Sequence, residues 1–114
     1  MDVVSVKNAE HYRWGVGCDG WHLLKTKGAS VIQEKVPPGR SEIQHVHSRS
    51  EQFFYILEGT AIIDIGGNAN KLHRGEGIHI HAGEAHQFRN ESKSDVEFLV
   101  ISVPPSHGDR QDIP

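Results

Sequence analysis

The sequence predicts an all-β domain, a small sandwich or barrel. Its apolar runs are short and rich in Val, Ile and Phe, and glycine stands at nearly every break between them. No stretch carries the long 3.6-residue period of an amphipathic helix. The runs come in order as Val31–Val36, Phe53–Leu57, Ala61–Ile65, Ile78–Ile80 and Val96–Val103, each of strand length. Turn signals divide them: Val36-Pro37-Pro38-Gly39-Arg40, Glu58-Gly59, Gly66-Gly67-Asn68, Gly75-Glu76-Gly77 and Ala82-Gly83-Glu84. Short strands at regular spacing are the pattern of sandwiches and barrels, in which hairpins and Greek-key connections pair distant strands. Ser5–Tyr12, with valines scattered in polar sequence, reads equally as a short turn or a strand. The segment 104–114 has no hydrophobic period and is expected to run over the surface.

Length and composition set the remaining bounds. At 114 residues the chain is the size of one domain, expected to span 1–114. Twelve Lys and Arg against fifteen Asp and Glu give a net charge of −3, so no basic field exists to draw a nucleic acid backbone. No apolar segment approaches the roughly 18 residues of a spanning helix, and Met1–Glu10 lacks the apolar core of a secretory signal. A cytoplasmic protein without a membrane partner is the expectation. Cys18 is the single cysteine. It can form no internal disulfide, and multi-cysteine zinc or iron–sulfur sites are excluded.

Nine histidines stand in the chain. Two pairs have the i, i+2 spacing, His45-Val46-His47 and His79-Ile80-His81, which puts both rings on one face of a strand. With nine histidines in this length, chance placement gives about 0.7 such pairs, so spacing alone does not separate a metal site from two exposed rings.

The surrounding residues separate them. Gly39, five residues, His45-x-His47, then Glu51-Gln52, the run Phe53–Leu57 and Glu58-Gly59 resemble the first signature motif of the cupin superfamily. Gly75, five residues, His81-Ala82-Gly83, two residues, His86, three residues and Asn90 resemble the second. Together the motifs cover 39–59 and 75–90. The resemblance implies a jelly-roll or double-stranded β-helix barrel holding one divalent transition metal (Fe, Mn, Ni, Zn or Cu) on inward side chains. His45, His47 and His86 match its histidine ligands. For the fourth ligand, counting back from Gly59 lands on Gln52, and the alternative spacing lands on Glu51; Gln52 is preferred. The two differ in chemistry, because a neutral amide leaves a divalent ion at +2, a stronger Lewis acid than with a carboxylate. His81 stands where the family usually has proline.

The resemblance further implies a small organic ligand or substrate, with dioxygenase or isomerase, cyclase or lyase chemistry, and a homodimer. The alternative is a binding module for a sugar or metabolite without turnover. Tyr55 and His79 are the acid–base candidates, with Glu51 a third if it is not a ligand. Surface exposure is the competing reading for His79 and His81.

Overall fold

The computed structural model describes residues 3–114, so Met1 and Asp2 of the expected domain lie outside it. Eleven strands form: β1 (Glu10–Trp14), β2 (Cys18–Lys25), β3 (Ser30–Val36), β4 (His45–Val46), β5 (Glu51–Glu58), β6 (Thr60–Ile65), β7 (Asn68–His73), β8 (Gly77–Ile80), β9 (His86–Arg89), β10 (Val96–Val103) and β11 (Gln111–Asp112). They make a six-stranded sheet in the order β1-β2-β3-β10-β5-β8 and a five-stranded sheet in the order β11-β4-β9-β6-β7. Every pairing within the sheets is antiparallel. No helix occurs among the described residues. All five apolar runs are strands, as expected.

Strand parity decides which side chains meet between the sheets. Along β5 burial alternates, with Gln52, Phe54 and Ile56 inside and Glu51 and Phe53 exposed. Along β10 Val96, Phe98, Val100 and Ser102 are inside. The centre of the core is aromatic: Phe88 and Phe98 stack at 4.0 Å between centroids, and Phe54 stacks on Phe98 at 5.8 Å. Offset stacking adds to the burial of these rings, and truncating one such phenylalanine typically costs about 3–5 kcal/mol. This layer also supports the site above it, since the Phe54 ring meets the His86 ring edge-on at 6.2 Å.

The polar strand β7 was invisible to hydrophobic periodicity. Only Leu72 of its six residues is buried. Its pairing with β6 is set by the two-residue turn Gly66-Gly67, at φ of 55° and 86°, a conformation costly for side chains with a Cβ. At the N-terminus Ser5 to Asn8 makes the turn and Glu10–Trp14 makes the strand, so both readings of that segment hold, in succession. The segment 104–114 departs from the expected surface run. Its residues Gln111 and Asp112 pair with β4, and Asp109 is buried.

Candidate metal centre

His45 opens β4 and His86 opens β9, and the two are direct partners across the ladder. His47 follows β4 on the same face as His45, as the i, i+2 spacing requires. The three side chains are buried, and one ligand nitrogen from each lies within 4.8 Å of the others. Ring centroids are 4.4 to 5.4 Å apart.

Each ring is oriented by its other nitrogen. His45 Nδ1 donates to the Ile43 carbonyl at 2.7 Å, His86 Nδ1 to the Glu84 carbonyl at 3.0 Å, and His47 Nδ1 to the Asp109 carbonyl at 2.5 Å. A carbonyl oxygen only accepts, so Nδ1 carries the proton in all three and Nε2 keeps a lone pair. Among the described residues His47 Nε2 and His86 Nε2 are buried without a hydrogen-bond partner. Burial pushes the His45 imidazolium down to about 4, helped by the neighbouring imidazoles, and lowers that of His86 for the same first reason. At neutral pH these two rings are therefore uncharged, the form that binds metal.

A fourth donor faces them from the other sheet. Gln52 is buried on the inner side of β5, and its Nε2 donates to Ser102 Oγ at 3.0 Å. Its Oε1 has no partner among the described residues. Three imidazole lone pairs and one amide oxygen, all buried and three of them orphaned, suit a divalent transition metal, which neutral nitrogen and oxygen ligands hold well.

The other sequence candidates lie elsewhere. Glu51 is on the opposite face of β5 and accepts a hydrogen bond from His79 Nε2 at 3.0 Å. His79 and His81 are exposed, with rings 4.2 Å apart. Tyr55 shares the face of Glu51 and Phe53 by parity. The structure thus does not bring Tyr55 or His79 to the three histidines; strand alternation turns both outward.

Residues outside the two signature motifs complete the surroundings. Asp109 accepts backbone N–H groups from Ser48, Arg49 and Ser50 at 3.0, 2.8 and 2.8 Å, which holds its carboxyl down at about 2. It fixes the loop after His47 while its own carbonyl fixes the His47 ring. A cavity of about 300 Å³ opens beside His45, His47 and Gln52, with Glu34, Tyr12 and Arg110 in its wall. The alternation Ile32, Glu34, Val36 on β3 is the signal that could have drawn attention to Glu34, a carboxyl in an inward-facing apolar row.

Two antiparallel sheets closed around three buried histidines define a small β-barrel with a candidate metal site. Comparison with known proteins agrees, and the chain belongs to the cupin family: residues 32–102 match the cupin domain. It is 30% identical over 87 residues to the oxalate-binding protein of Thermotoga maritima, covering 72% of either chain. It is 26% identical over 86 residues to the tetracenomycin polyketide synthase protein TcmJ of Streptomyces glaucescens, covering 70% of this chain and 58% of that one. A crystal structure from Thermotoga maritima, described as a predicted oxalate decarboxylase, superposes with a TM-score of 0.83 at 25% identity, covering 91% of this chain and all of that one.

Proposed function

We propose that the protein binds one divalent transition metal through His45, His47, His86 and Gln52, and through it a small oxygen-bearing organic molecule. The observation that carries this reading is that His47 Nε2, His86 Nε2 and Gln52 Oε1 are three of the four buried side-chain polar atoms without a hydrogen-bond partner among the described residues, His22 Nδ1 being the other. Such atoms are costly unless something occupies the space between them. Glu51, paired outside with His79, is the weaker candidate for fourth ligand.

When bound, a metal on four neutral donors supplies Lewis acidity, or a redox centre for oxygen chemistry if it is iron. The chain's own residues orient the ligands and wall the cavity. We assign the protein to the enzymes of this architecture, of dioxygenase or isomerase, cyclase or lyase type, acting within the single domain 1–114. Relatedness to a polyketide synthase protein supports an organic substrate. Binding without turnover is the second reading, favoured by the relative named for binding oxalate, a chelating oxygen ligand. We further propose a cytoplasmic homodimer. Its support is the outer face of the six-stranded sheet, where neighbouring strands β5 and β10 expose Phe53 and Val103.

The test is metal analysis of untagged protein by plasma mass spectrometry. Near-stoichiometric metal in the wild type, lost in His86→Ala, is expected. Full metal retention in that variant would contradict the site. Oxygen uptake by iron-loaded protein with a panel of enols and diketones then separates dioxygenation from redox-neutral chemistry, and oxalate titration separates turnover from binding.

A further inference from the structure

The wall of the cavity opposite the histidines contains a contact built across three strands. Tyr12 on β1, Gly20 on β2 and Glu34 on β3 lie in one row of the sheet, Tyr12 opposite Gly20 and Gly20 opposite Glu34. The Tyr12 hydroxyl passes over the middle strand and donates to Glu34 Oε2 at 3.1 Å. It can do so only because Gly20 has no side chain: a Cβ there would lie 2.2 Å from the Tyr12 ring carbon Cζ and 2.5 Å from its hydroxyl. The glycine is a channel for the phenol. Among the described residues Glu34 Oε1 accepts no hydrogen bond, so half of the carboxyl remains free at the cavity wall.

We propose that Glu34, held by Tyr12 over Gly20, is the proton acceptor of this cavity, and that it selects neutral ligands bearing an acidic hydroxyl, an enol or a phenol, over dicarboxylates. This rests on the reading above that the cavity takes a small organic ligand beside a metal.

Charge and proton balance both support it. Two acids, Glu34 and Glu42, line the cavity with one cation, Arg110. A dianion brought into it at about pH 7.5 meets the ionised Glu34 and has no proton to give it, while Glu42, lifted to about 8, is largely protonated. A neutral hydroxyl has one: its O–H bond breaks, the proton passes to Glu34, and the electron pair stays on the ligand oxygen. The net charge of the cavity is unchanged. An alkyl alcohol is far too weak an acid for this transfer, whereas a phenol, at about 10, is within reach.

The titratable and charged groups around Glu34 are Tyr12 from β1, Cys18 from β2 with His22 against the Tyr12 ring at 5.0 Å, Glu42, His107 and Arg110 from the segments beside β4 and β11, and the imidazoles of His45 and His47 across the cavity. From β10 Phe98 lies opposite Glu34, and Val100 and Ser102, which line the cavity, carry no titratable group. Desolvation outweighs Tyr12 and Arg110 and lifts the Glu34 carboxyl to about 7, so it is both ionised and basic just above neutrality. Glu42, lifted to about 8, is less free, because its Oε1 already accepts from the Phe88 N–H at 3.0 Å.

The test is calorimetric titration of metal-loaded protein with maltol, a neutral enolone with one hydroxyl, and with oxalate. It is run at about pH 7.5 in two buffers of different ionisation heat, which counts protons released per ligand bound. For maltol, Glu34→Gln should release roughly half to one proton more than the wild type. It should also bind maltol at least about tenfold more weakly while holding oxalate as tightly as the wild type or more so. Equal proton release by the two proteins, or parallel loss of both ligands, would overturn the proposal, as would failure of maltol to bind the loaded wild type. Should Glu34→Gln not fold, Tyr12→Phe takes its place. Losing the phenol bond raises the Glu34 carboxyl further, so maltol must again release more protons than in the wild type, and unchanged release overturns the proposal. If the protein takes up no metal, the metal reading fails separately, and the titrations on metal-free protein are judged by the same criteria.

Discussion

Two His-x-His pairs in one chain have opposite environments. In both, alternation puts the rings on one face, 4.9 Å apart for His45 and His47 and 4.2 Å for His79 and His81. The first pair lies between the sheets, where its rings are gripped through Nδ1 by backbone carbonyls and joined by His86 from the adjacent strand. The second lies outside, where His79 pairs with the carboxylate of Glu51 and both rings meet water. The spacing is therefore a statement about geometry. A metal centre also needs a face that excludes water, a third donor, and a backbone that fixes the tautomer.

Exchanging the properties of the two pairs gives the largest expected effect. His86→Ala, or His45→Ala, should abolish stoichiometric metal binding, whereas His79→Ala and His81→Ala should leave it unchanged; metal content of the four purified variants checks this. Loss of metal in the outer variants would mean that the outward rings take part after all.

Next in size is the support of His47. Asp109→Ala frees the loop Ser48–Ser50 and its three backbone N–H groups. Disturbing such supporting contacts typically costs about 10–100-fold in metal affinity, and a drop in that range is expected from competition with a chelator. The fourth ligand comes third. Gln52→Ala should weaken metal about tenfold, and Glu51→Ala should not, since the two side chains leave β5 on opposite faces. A loss confined to Glu51→Ala would reverse the assignment.

The smallest effect concerns stability. The Glu34 carboxyl titrates at about 7 in the folded protein against an ordinary 4.5. Between these values the native state keeps a proton that the unfolded chain has released, so this group's contribution is intact below 4.5 and is lost as pH rises through about 7. Glu34→Gln keeps an acceptor for Tyr12 and removes the penalty. The variant should gain a few degrees in Tm over the wild type at about pH 8 and little at about pH 4. A gain independent of pH would place the effect outside ionisation.

Much of this was legible in the sequence, for reasons that differ by element. The five apolar runs announced their strands because one face of each is buried, and the glycines at 66 and 67 marked a turn that demands positive φ. The candidate ligand set was carried by offsets to glycines and an asparagine, which resemblance could read and composition could not. β7 and β11 were not legible, since they bury almost nothing and are held by backbone pairing to neighbours. The role of Asp109 was hidden for a similar reason: its partners are backbone N–H groups some sixty residues away, which leave no mark on sequence. Tyr12 and Glu34 are joined over a bare glycine, a relation that exists only once three strands lie side by side.

The most direct test of the account is X-ray absorption spectroscopy of the metal-bound wild type, which counts imidazole rings around the ion by their outer-shell scattering. Three imidazoles with the remaining donors oxygen is the expected result. A spectrum without imidazole scattering, in a protein that retains its metal, would contradict the centre built on His45, His47 and His86.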